Sequence, residues 1–174
     1  MLQGGFAEVL ESKSRGEFEG ELVAFTRRLG FETVSAMLVI DHMLGEAEFI
    51  NIDNTPQAYK DSFMNPSNGR RDPVMQHCKR QSVPIIWSQS TYVESGLGEK
   101  WEEQSRFGIS NGIALALHMP EGRHFFLGVE RDQPVPSNPT ELTRVVADLQ
   151  LFAVHAQDAA VRILFENLAK PPAA

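Results

Sequence analysis

From Leu142 to Leu164 the chain carries an unbroken apolar stripe: Leu142, Val145, Val146, Leu149, Phe152, Ala153, Ala156, Ala160, Ile163 and Leu164. Residues three and four apart share one face of a helix, so this is a single long helix with a broad apolar side. Asn138-Pro139-Thr140-Glu141 starts it with a capping side chain, a proline where no N–H is needed, and an acid in the first turn. Such a helix needs an apolar layer to lie on, and the middle of the chain supplies one. Thr33 to Ile40 is β-branched and apolar, a strand buried on at least one side, and Glu48 to Asp53 returns after a turn at Asp41 to Ala47. Asn111 to His118 and His124 to Arg131 form a second antiparallel pair about a turn containing Pro120 and Gly122. Two amphipathic helices come first, one with Phe6, Val9 and Leu10, the next with Phe18, Leu22, Phe25 and Leu29 and a stop at Gly30. Helices alternating with antiparallel strands predict one α/β domain, with α/β/α layering around an antiparallel sheet.

The stretch from Thr55 to Tyr92 carries the chemistry. It gathers Asp72, Pro73, Pro84, Trp87 and two tyrosines, Tyr59 and Tyr92. Flat apolar walls with a few fixed polar groups make a small-molecule pocket. Asn54-Thr55-Pro56 and Asp72-Pro73 both predict helix starts. Asp72 has two readings that need not compete: one carboxylate oxygen caps the helix while the other faces a pocket. Trp87 follows Pro84 on an extended segment and is either plain core or a pocket wall. A helix follows through Trp101 to Arg106, with Gly96 and Gly98 as loop residues before it.

Asp72-Pro73-x-x-x-His77-Cys78, Pro84-x-x-Trp87 and Tyr92 together resemble the autoinducer-binding domain of LuxR-type quorum-sensing regulators, LasR-like receptors in particular. The register extends from Gly5-Phe6 through Leu29-Gly30-Phe31 to Gly108 and Gly112. The resemblance implies a GAF/PAS-like α/β/α sandwich with a central sheet of about five antiparallel strands. Residues 1–168 would form the signal-binding domain, and 169–174 would begin a linker to a C-terminal helix-turn-helix domain. It implies an N-acyl-homoserine lactone as ligand, no cofactor, no metal, a homodimer, and DNA contact only through that other domain. Asp72 would accept the ligand's amide N–H, Trp87 would wall the lactone ring, and Tyr92 with position 128 would reach the acyl carbonyl. Val39, Ile52, Val74, Trp101 and Ile109 are further expected pocket residues. There are departures. Tyr59 stands where the family usually has a Trp that donates to the lactone carbonyl, and Thr55 and Phe63 stand where it prefers tyrosines. Met37 and Phe126 replace small residues at the acyl end, and Gly128 lacks a hydroxyl often found there. Alternation along the strand puts His124, Phe126 and Gly128 on one face.

Composition narrows the function. A net charge of −7, from 16 Lys+Arg against 23 Asp+Glu, argues against nucleic-acid binding by this chain alone. Cys78 is the only cysteine, which leaves no internal disulfide. No apolar run approaches a membrane span and no signal-peptide pattern opens the chain, so a cytoplasmic protein is expected. The histidines His42, His77, His118, His124 and His155 show no metal-ligand spacing. No nucleophile or phosphate-loop motif is present, so no enzyme is expected. Three functions remain: a lactone receptor, a receptor for a non-lactone small molecule, and a ligand-independent dimerisation module whose pocket is filled by Phe126 and Met37.

Overall fold

A computed structural model describes residues 2, 4–62 and 71–165. Two helices, α1 (Phe6–Leu10) and α2 (Arg15–Leu29), lead into the hairpin of β1 (Thr33–Ile40) and β2 (Glu48–Asp53). Then come α3 (Gln57–Ser62), α4 (Pro73–Arg80), β3 (Ile85–Trp87), α5 (Gln89–Glu94) and α6 (Gly98–Ser105). The hairpin of β4 (Asn111–Met119) and β5 (Arg123–Arg131) precedes α7 (Pro139–Ala160), which runs into a π-helical turn at Val161–Phe165. The expected phenylalanine at 63 and the expected linker at 169–174 lie outside the described residues.

The strands form one five-stranded sheet in the order β2-β1-β5-β4-β3, each neighbouring pair antiparallel. Its first face is hydrocarbon. Leu38, Ile113, Leu115, Phe125, Leu127 and Val129 pack there against Phe18 and Leu22 of α2 and Leu149 of α7. Phe25 of α2 and Phe152 of α7 stack with centroids 3.8 Å apart and planes 2° from parallel. The apolar stripe of the last helix thus finds the layer it requires.

Caps fix where these elements begin. The Asn138 carboxamide accepts from the N–H groups of Thr140 (2.9 Å) and Glu141 (3.1 Å), with Pro139 as the first helical residue. Ser14 accepts from Glu17 N–H, and α2 ends at Gly30 with φ 96°, a left-handed conformation that a Cβ would strain.

Two local expectations need correction, and one helix lay outside them. Asn54 does not cap α3. Its side chain accepts from Val34 N–H (2.8 Å) and donates to the Glu32 carbonyl (3.0 Å), so it clamps the entry to β1 instead. Gly98 is helical, the first residue of α6, because the Gly96 φ of 73° completes the preceding turn. Helix α5 was not anticipated; Ser88 N–H donates to Thr91 Oγ1 at 3.1 Å across its first turn, a short polar signature easily mistaken for loop.

Candidate ligand-binding site

The second face of the sheet is different. β5 turns Phe126, Gly128 and Glu130 towards it, and their register partners in β1 and β4 carry Met37, Ser35, Ala116 and Ala114 on the same side. Helices α3 to α6 cover this face. Trp87, Tyr92, Val74, Cys78 and Ile109 are buried together there, with Tyr59, Trp101 and Phe126 packed against them.

Asp72 organises the cluster. Because proline follows it, its own backbone stays extended, and Oδ1 caps α4 by accepting from Val74 N–H (2.9 Å) and Met75 N–H (3.1 Å). Oδ2 turns the other way and accepts from the Tyr92 hydroxyl (3.1 Å) and Lys100 Nζ (3.0 Å). Four donors on two oxygens fill the roughly four acceptor positions of a carboxylate. Both side chains of the ion pair are largely buried, at 14% exposure for Asp72 and 13% for Lys100. Burial first, then the Asp72 charge, holds the Tyr92 phenol well above its ordinary range, so Tyr92 remains a donor. Burial does the same to Tyr59, reinforced by Glu130 and Asp72. The Cys78 thiol is pushed up to about 11 by burial and then by Asp72. It is a small buried thiol, not a thiolate.

Trp87 lies on Gly112, its register partner in β4. A Cβ built on that glycine would stand 2.7 Å from the indole and 2.5 Å from the Val129 carbonyl, so only glycine admits the ring. The edge of Trp87 meets Tyr92 at 5.6 Å, and Tyr59 meets Phe107 edge-on at 5.7 Å. Trp101 is fixed by its Nε1–H, which donates to the Ser110 carbonyl at 2.8 Å.

Beside this aromatic group lies a cavity of about 230 Å³. Met37, Val74, Phe126 and Gly128 line it, together with Ser35, Asp53, Met75, Cys78 and Glu130. Met37 and Phe126 are walls of this space. Glu130 is the unusual member. Its carboxyl is pushed up to about 8 by burial, then by Asp53 and more weakly by Asp72, while the Ser35 hydroxyl pulls the other way. Although its stem is partly accessible, Oε2 is buried with no hydrogen-bond partner among the described residues.

Of the expected pocket residues, Tyr59, Trp87, Tyr92, Val74, Trp101, Ile109 and Phe126 share this cluster, and Asp72 joins it through Tyr92. Met37 and Gly128 border the cavity. Val39 has the right parity but sits one pair further along, opposite His124 at the strand end. Thr55 is half-buried just past β2, its N–H bound to Asp53 Oδ1. Ile52 is misplaced by expectation: it pairs with Ala36, and that parity turns it into the hydrocarbon core on the other face. Lys100 and Glu130 were missed. Glu130 was legible, since position 130 continues the alternation of Phe126 and Gly128. Nothing in the sequence marks Lys100 as a partner of Asp72.

The family description "autoinducer binding domain" matches residues 14–160, which is most of the chain. The chain belongs to the autoinducer-binding domain family. Among curated relatives of this family, the transcriptional activator protein AhyR of Aeromonas hydrophila is 24% identical over 135 residues, 73% of this chain and 52% of that protein. The HTH-type quorum-sensing regulator RhlR of Pseudomonas aeruginosa is 28% identical over 78 residues, 45% of this chain and 32% of that protein. The matched segments thus span about half or less of these regulators. Among solved structures, the N-acylhomoserine lactone dependent LuxR family transcription factor CepR2 from Burkholderia cenocepacia superposes with a TM-score of 0.76 at 20% identity. That match covers 97% of this chain and 95% of that one. SdiA in complex with octanoyl-rac-glycerol also gives 0.76, at 18% identity, over 97% of this chain and 67% of that one. These likenesses establish the fold: a five-stranded antiparallel sheet between helical layers, as in other autoinducer-binding domains. No described helix is long and apolar enough to cross a membrane.

Proposed function

We propose that the domain binds an amphiphilic small molecule of the N-acyl-homoserine lactone class on the second face of its sheet. Occupancy would then control dimerisation, and DNA binding by a C-terminal helix-turn-helix domain, in the cytoplasm. The observation that carries this reading is the division of labour in Asp72. One oxygen is committed to the helix; the other points into an aromatic cluster walled by Trp87 and Tyr92. The ligand's amide N–H would take the position now held by Lys100 Nζ, leaving that ammonium to move outward on its flexible stem. The outer side of α7, where Leu151 and Val154 are exposed, is the proposed dimer surface.

A second reading, a non-lactone signal, is favoured by the same carboxylate. Its acceptor positions are already filled, so an amide must displace a charged donor to bind there. Tyr59, in place of the family's usual Trp, alters the partner offered to a lactone carbonyl. SdiA, a neighbour in fold, holds octanoyl-rac-glycerol, which has hydroxyls but no amide N–H.

The test is thermal melting and native mass spectrometry of the domain against lactones of short, medium and long acyl chains, with a monoacylglycerol alongside. A ligand bound at a hundredfold excess over its Kd stabilises the native state by about 2.7 kcal/mol. Asp72→Asn, which keeps an oxygen to cap α4, should weaken lactone binding by about 1–3 kcal/mol. Full retention of lactone binding in a folded Asp72→Asn protein would remove Asp72 from recognition. A shift with the monoacylglycerol alone would favour the second reading.

A further inference from the structure

We propose that Glu130 is a second polar anchor of the pocket: a neutral carboxyl that donates a hydrogen bond to an oxygen of the signal, selecting amphiphiles with a carbonyl or hydroxyl oxygen near Trp87. This rests on the pocket proposed above but not on the signal being a lactone.

The geometry comes from the sheet. Glu130 lies in register between Thr33 of β1 and Gly112 of β4, and Gly112 is the residue on which the Trp87 indole lies. It is therefore at the end of the cavity nearest the aromatic cluster. Gly128, two residues back on the same face, leaves the carboxyl its room, since a Cβ there would come within 3.2 Å of Glu130 Oε1. The neighbouring carboxylates are spoken for. Asp53 is held by Lys60 Nζ (2.8 Å) and Thr55 N–H (3.0 Å), and Asp72 by its four donors. Among these three carboxyl groups, it is Glu130 whose Oε2 is buried without a partner among the described residues, and Glu130 borders the cavity. A buried acid in this position gives the fold nothing that a methyl group or an amide would not give more cheaply. A ligand oxygen would complete it.

The groups facing Glu130 are Ser35 on β1, Asp53 with its Lys60 beyond β2, Tyr59 on α3, and Asp72 with Lys100 and Tyr92. Burial and the two aspartates keep the Glu130 proton on to about 8, whereas Tyr59 stays protonated well above that range. The donor is therefore present at neutral pH and lost as the pH rises past that value.

Isothermal titration of N-octanoyl-homoserine lactam, whose ring resists alkaline opening, and of 1-octanoyl-glycerol tests this on wild type, Glu130→Gln and Glu130→Ala. Wild-type affinity should fall roughly tenfold between about pH 7 and about pH 9, as one required proton is lost. Glu130→Gln retains a donor that does not titrate, so it should bind within roughly threefold of wild type at neutral pH and lose the pH trend. Glu130→Ala should bind roughly tenfold or more weakly. Unchanged affinity in Glu130→Ala, or a pH trend that survives in Glu130→Gln, overturns the assignment while leaving the pocket intact. Failure of both probes to bind wild type overturns the pocket reading itself, and this proposal with it.

Discussion

The two faces of one sheet are built on opposite terms. On the first face, the buried strand side chains from Val34 to Val129 are hydrocarbon and meet hydrocarbon from α1, α2 and α7. On the other face the same strands present Ser35, Glu130 and two glycines, and the covering helices bring Asp72, Lys100, Tyr59 and Tyr92. One face is close-packed; the other keeps a cavity of about 230 Å³ and a carboxyl out of its ordinary titration range. A well-packed first face lets the second carry buried polar groups, which the proposed recognition site needs and a core does not.

Phe125 and Phe126 are neighbours on β5 that point to opposite faces, which makes them a direct probe of this contrast. Phe125 is 1% exposed, flanked by Leu38 and Leu117. Phe125→Ala should cost about 3–5 kcal/mol in urea unfolding, because it removes buried surface and leaves a hole that a rigid layer cannot close. A loss below about 1 kcal/mol would mean the first face is not the main source of stability.

The second face should show itself in the pH dependence of stability without any ligand. Glu130 has its folded pKa raised to about 8, above its unfolded value near 4.5. The folded state therefore holds a proton that the unfolded state releases. This group's favourable contribution is complete below about 4.5, declines as pH rises, and is gone above about 8. Relative to Glu130→Gln, the wild-type protein should lose stability by up to about 1.4 kcal/mol per pH unit, at most about 5 kcal/mol over the whole window. Paired urea titrations of the two proteins at several pH values measure it. Parallel curves would show an ordinary, ionised Glu130.

The same contrast explains how much could be read in advance. Period and turn chemistry are local, so β1 and β2 were legible to the residue, as was the start of α7 at Asn138-Pro139. Asp72 was legible as a cap because a short acceptor side chain directly before an N1 proline is a local signal of a helix start. The pairing of Asp72 with Lys100 was not, since it joins α4 to α6 across a tertiary contact that no spacing records. Asn54 misled for a related reason: a side chain that can cap a helix can equally hold a strand entry, and only the fold decides. Ile52 failed by parity. A single residue along β2 separates the polar face from the hydrocarbon one.

Phe126→Ala should have the smallest effect on stability and the most specific effect on binding. Phe126 pairs with Met37 and Ala116, is only partly buried, and borders existing space. Its truncation adds to a cavity instead of creating one in a packed layer, so the cost should be about 1–2 kcal/mol, mainly the transfer term. The cavity should lengthen at the end away from Trp87 and Glu130. The preferred acyl chain should then lengthen too, while the dependence on Asp72 and Glu130 stays as it was. Melting-temperature shifts of Phe126→Ala and wild type across the acyl-chain series separate these effects. An unchanged optimum would mean that Phe126 does not limit the acyl end. A cost equal to that of Phe125→Ala would mean that the two faces are packed alike, and the contrast drawn between them would fail.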